Sequence, residues 1–109
     1  MLKRLKEWIY NRIKPKELSA DEMFQKLGFT LSEEYDHKAI YERKENFVSY
    51  THYIEIRINL ANDIHIISYD QDMMAVQMYL NELDAALVKV HELIIRRKEL
   101  NAKYDTGAR

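Results

Sequence analysis

The sequence predicts an α+β protein of two layers. An antiparallel meander of about four strands carries a short helix and a long C-terminal helix on one face, with a basic amphipathic N-terminal helix as an appendage. Three observations predict it. A two-turn helix over 20–27 has both ends written in residues, the apolar period is two from Phe29 to Tyr69, and it lengthens to helical spacing from Tyr79 to Leu100. With 109 residues, 47% apolar and 32% charged, the chain has the size and balance of one globular domain. It divides into a helical extension, 1–16, and a single α+β domain, 17–109, with a basic helical tail.

In residues 2–14, Leu2, Leu5, Ile9 and Ile13 form one stripe of a helix, with Trp8 and Tyr10 flanking it and Lys3, Arg4 and Lys14 opposite. Pro15 disfavours helical geometry at Lys14 and ends the segment. A helix this short is marginal in water without something to dock on.

The next helix begins at a capping box, Ser19 with Glu22, and Leu18 and Met23 hold the positions of a hydrophobic staple. Gly28 can adopt the left-handed conformation that closes the helix, letting Phe29 fold back on Phe24.

Residues 29–34 and 38–44 then read as strands around a Tyr35-Asp36-His37 turn. Over 47–60, Ile54, Ile56, Ile58 and Leu60 alternate with Glu55, Arg57 and Asn59, so one face is buried and the other wet. Ala61-Asn62-Asp63 turns the chain and Ile64–Tyr69 returns; if the turn pairs 59 with 65, His52 lies too far along its strand to join His65 in a site. Residues 70–78 read as a loop with a short edge pairing. From Tyr79 to Leu100 a helix presents Leu80, Leu83, Leu87, Val90 and Ile94 as its core stripe. At about 30 Å it outruns the strands, so its Ile94–Leu100 end projects beyond the sheet.

The net charge is −1, but residues 1–16 carry +5, residues 96–109 carry +3, and the body between them carries −9. An acidic body repels nucleic acid, while the ends can attract it. The basic N-terminus has neither the apolar region nor the cleavage site of a secretory signal, there is no apolar run long enough for a membrane span, and there is no Cys. A cytoplasmic protein without disulfides or thiolate chemistry is the expectation.

Catalytic patterns are missing. His37, His52, His65 and His91 show no metal-ligand spacing, and Asp63, Asp70 and Asp72 lack the glycine and terminal glutamate of a calcium loop. The serines have no nucleophile-elbow context, and two glycines cannot build a phosphate-cradling loop. The sequence therefore predicts no enzyme, no cofactor and no metal.

The run Ala20-Asp21-Glu22-Met23-Phe24-Gln25-Lys26-Leu27-Gly28-Phe29 resembles the opening of small, functionally uncharacterised proteins of Firmicutes phages and prophages, in which a DEMFxxLGF/Y helix leads into a short antiparallel sheet. Met78-Tyr79-Leu80-Asn81-Glu82-Leu83-Asp84-Ala85-Ala86 stands where their closing helix starts. The resemblance covers roughly 18–95 and carries no catalytic residue. The basic segment 1–16 and the extension through Ile94-Ile95-Arg96-Arg97-Lys98 depart from it.

The body without catalytic patterns, this resemblance, and an acidic −9 centre suited to a basic nucleic-acid channel together predict an accessory protein, in a bacterial host, that binds and inhibits or redirects a host protein or ribonucleoprotein complex, with counter-defence of the anti-CRISPR kind as the concrete form. The alternative is a nucleic-acid-associated protein using the basic ends. Membrane association through 2–14 ranks last. The candidate partner-binding residues are Trp8, Tyr41, Tyr53, Glu55 and Arg57, the strand residues being assigned to the bare sheet face, together with Arg96, Arg97 and Lys98 on the closing helix. A homodimer is expected, through exchange of the N-terminal helix across Pro15 or through the end of the closing helix.

Overall fold

The computed structural model describes residues 18–45, 50–61 and 63–107. Helix α1 (Ala20–Lys26) leads into strands β1 (Thr30–Tyr35), β2 (Lys38–Glu45), β3 (Tyr50–Ile58) and β4 (Ile64–Asp70), and helix α2 (Leu80–Gly107) closes the chain. The strands pair antiparallel in chain order, forming an open four-stranded meander, so the α+β expectation holds. The helix expected over 2–14, with Trp8, lies outside the described residues.

Both ends of α1 close where the sequence predicts, although Glu22 meets the Ser19 hydroxyl rather than its backbone N–H. Ser19 Oγ accepts from the Glu22 N–H at 3.2 Å, and the Glu22 carboxylate accepts from the Ser19 hydroxyl at 3.1 Å. Gly28 stands at φ 92°, its N–H donating to the Gln25 carbonyl while the Phe29 N–H donates to that of Phe24. These are the paired bonds of a Schellman cap. Phe29 folds back edge-on to Phe24 at 5.6 Å between centroids.

Both helices lie on one face of the sheet. Phe24 and Phe29 join Ala39 and Tyr41 of β2, Ile54, Ile56 and Ile58 of β3, and Ala85, Ala86, Val90 and Leu93 of α2 in one core. In antiparallel pairs, residues directly opposite share a face. Tyr41 is opposite Ile54, which places it inside; it is 1% exposed and stacked on Phe24 at 3.9 Å. It therefore leaves the bare face to which the sequence assigned it.

Four further expectations are corrected. Leu60 is 98% exposed, because β3 stops at Ile58 and Asn59 folds the turn with its own side chain. Asn59 Oδ1 accepts from the N–H groups of Ala61 and Asp63, and the Asn59 N–H donates to the Asp63 carbonyl, so 59 is matched with 63 and not with 65. Helix α2 continues past Leu100 to Gly107, about 42 Å in all.

The fourth correction concerns which side of α2 is buried. Of the expected stripe, Val90 is in the core and Ile94 packs against it, but Leu80 is 58% exposed and Leu83 and Leu87 are only half-buried, while Glu82, Ala85, Ala86, Lys89 and Leu93 face the core. The buried line is turned roughly 100° from the expected leucine stripe. Two alanines allow a close approach that leucines would block, and ion pairs at Glu82 and Lys89 hold the polar side chains inside.

The 70–78 stretch is a loop with an edge pairing, as its sequence suggests. Asp70 Oδ1 accepts from the N–H groups of Asp72 and Met74, Met73 takes φ 64°, and Tyr69 bridges Ala75.

Candidate functional site

Between the helices and the sheet lie two polar networks. In the first, Lys89 of α2 is buried and its ammonium donates to Glu34 of β1, with Asp21 of α1 at 3.6 Å and Glu92 at 3.7 Å. The Lys89 hydrogen bond, against the opposing effect of partial burial, holds the Glu34 carboxyl below its ordinary 4.5. The Tyr41 hydroxyl donates to Asp21, and burial together with that carboxylate pushes its ionisation far up, so it remains a donor. Glu92 accepts from the Ala20 N–H at 2.9 Å, tying α2 to the start of α1. This cluster bolts four elements together.

The second network centres on Arg43 of β2. Its guanidinium donates to the Leu27 carbonyl at 2.8 Å, to Glu45 at 2.7 Å and to the buried Glu82 at 3.3 Å, and it lies over the Phe29 ring at 4.3 Å. Glu82 also accepts from the Tyr79 N–H at 2.9 Å, capping α2. Beside it His52 Nε2 and Ser68 Oγ share a 2.6 Å hydrogen bond. Burial lowers the His52 pKa, aided by Arg43 and opposed by Glu82 and Glu45.

Ser68, His52 and Glu45 thus follow one another as a hydroxyl, an imidazole and a carboxylate, the order of a nucleophilic triad. The geometry does not suit one. Glu45 Oε1 is 3.9 Å from His52 Nδ1, too long for a hydrogen bond, and Arg43 already holds that oxygen. His52 is 1% exposed, beyond the reach of a substrate. Among the described residues, every buried side-chain nitrogen or oxygen has a hydrogen-bond partner.

The outer face of the sheet is different. Tyr53 of β3 stacks on Tyr69 of β4 at 5.4 Å between centroids, and the Tyr69 hydroxyl donates to Glu55 at 3.2 Å. Burial and the Glu55 carboxylate push the Tyr69 pKa up to about 12. Arg57 pairs with Glu55 at 3.7 Å and remains 44% exposed. His65 and Ile67 continue the same surface, which no described helix covers. At the open end of the sheet, Arg57 also meets Arg97, His37, Leu60 and Leu100 around a shallow pocket of about 490 Å³.

Of the residues singled out from sequence, Tyr53, Glu55 and Arg57 come together on this face. Arg96 and Arg97 are turned inward along the structure: Arg96 reaches Glu34 at 3.4 Å, and Arg97 donates to the carbonyls of Asn59 and Ile58 at 2.8 and 3.2 Å. Lys98 stands exposed on α2. Sequence reasoning missed Tyr69, which only the corrected β3–β4 register sets opposite Tyr53. It also missed Lys89 and Glu82, for which a helical stripe of leucines gives no signal. No known protein family matches the chain, and neither a curated protein nor a solved structure matches it.

Proposed function

We propose that the chain is a non-catalytic phage or prophage accessory protein that binds a host protein or ribonucleoprotein complex and inhibits or redirects it, with counter-defence inhibition as the concrete form. The phage reading rests on the resemblance carried by residues 20–29 and 78–86. The binding reading is supported by one observation above the others, the contrast between the two faces of the sheet. Inside, the ionisable groups are consumed by one another. Outside, Tyr53 and Tyr69 form a stacked pair beside Glu55 and the exposed Arg57, a combination of rigid aromatic area and charge of the kind that anchors protein interfaces.

The test is capture of stoichiometric partners by tagged protein from a Firmicute lysate with active defence systems, with and without nuclease, beside a Tyr53→Ala/Arg57→Glu variant. A nuclease-resistant partner lost in the variant, together with increased phage infectivity in a host expressing the wild type, is the expected result. Retention by the variant, or capture that disappears with nuclease, refutes this reading.

A further inference from the structure

The two edges of the sheet are not alike. β1 carries a register irregularity between Leu31 and Glu33 and presents Glu33 and Glu34, features that discourage strand addition. On β4, the segment Ile64-His65-Ile66-Ile67-Ser68 contains no Asp, Glu, Lys, Arg or Pro, and its pairing with β3 is regular. The 70–78 loop covers only the far end of this edge: the Val76 N–H donates to the Ser68 carbonyl and the Asp70 N–H to that of Met74. Among the described residues, no strand pairs with β4 between Ile64 and Ile67 on the side away from β3.

These bonds also reveal which groups point outward. In an antiparallel ladder, alternate residues direct both backbone polar groups to the same neighbour. Ser68 and Asp70 face the loop, so Ile66 and Ile64 also turn their N–H and C=O groups away from β3, while His65 bonds toward Arg57. Two adjacent outward residues make a self-complementary edge.

We propose that β4 pairs antiparallel with β4 of a second copy about a two-fold axis at His65, joining two sheets into one of eight strands. Ile64 of each copy exchanges two hydrogen bonds with Ile66 of the other, four bonds in all, and the two His65 residues form the central non-hydrogen-bonded pair. No formal like charges meet in that register, whereas self-pairing of β1 brings Glu33 and Glu34 into the joint. Apolar side chains also remain incompletely buried. Leu80 of α2 is exposed, Leu83 and Leu87 of α2 are half-buried, and Ile66 of β4 is half-buried. The dimer expected from sequence thereby moves from the terminal helices to the sheet edge, and it goes beyond the binding reading of the outer face.

The absence of native Cys makes a direct test possible. At the axis the two Cα atoms of residue 65 stand about 4.5 Å apart, within disulfide range. Full-length His65→Cys, oxidised mildly, is expected to form a covalent dimer in high yield. Ile67→Cys, four residues out of register with its symmetry mate, should do so far less. Light scattering of the wild type should give twice the 13.1 kDa chain mass. His65→Glu, which sets two carboxylates face to face, and Ile64→Pro, which removes an outward donor at the first position of the strand, should each restore the single-chain mass with unchanged circular dichroism. A wild-type monomer, a dimer that survives both folded variants, or equal cross-linking at 65 and 67 would overturn the proposal.

Discussion

Replacing Lys89 by Met removes the ammonium that Glu34, Asp21 and Glu92 share while keeping most of the buried stem. Breaking a buried pair by deleting one partner typically costs about 3–5 kcal/mol. Here the Lys89 side chain is 2% exposed, but Glu34 is 29% and Glu92 31%, so the abandoned carboxylates recover part of their hydration. A loss of about 2–4 kcal/mol follows, a large share of the roughly 5–15 kcal/mol expected of a domain. In urea, followed by circular dichroism at the helix band, this lowers the midpoint by about 1–2 M. Adding Glu34→Gln to Lys89→Met should recover about 1–2 kcal/mol, since the remaining charge imbalance is smaller. The difference between wild type and Lys89→Met should also shrink in acid. The Glu34 pKa is lowered in the folded state, so its contribution is present above 4.5 and lost as pH falls through the folded value. If Lys89→Met matches or exceeds the wild type, dehydration of the ion cluster outweighs its attractions and the network is not what secures α2 to the sheet.

Three other outcomes are expected. Gly28→Ala should lower stability by about 1–2 kcal/mol in the same urea assay, because φ 92° is unfavourable for a side chain and the new Cβ would come within 3.1 Å of Arg43 Cδ. Phe24→Ala, which empties the space stacked against Tyr41 in the core, should cost about 3–5 kcal/mol. The melting temperature should fall as pH drops below 6.5, since buried His52 has a lowered pKa and the unfolded chain takes up the proton that the folded one resists; His52→Gln should flatten that slope between pH 7 and 5.

Local features were legible wherever neighbouring residues carry the whole signal. The Ser19–Glu22 cap and the Gly28 terminator are closed by bonds within a few residues, so their chemistry is visible in sequence. The alternation of Ile54, Ile56 and Ile58 likewise follows from the two-residue period of a strand. Residue 60 broke the pattern because the Asn59 side chain captured the backbone of the turn, which stops the strand before Leu60.

Periodicity alone could establish that a long amphipathic helix closes the chain, that four strands precede it and that they run antiparallel. It could not choose the helix face that packs, because that choice weighs the leucine row against close approach at Ala85 and Ala86 and against the ion pairs of Glu82 and Lys89 with Arg43 and Glu34. Those partners lie far away in sequence, and no local spacing records them. The same reason governs the candidate surface. Tyr53, Glu55 and Arg57 share a face by strand period, but the loss of Tyr41 to the core and the arrival of Tyr69 beside Tyr53 depend on how neighbouring strands register, which is set by turns and packing across the sheet.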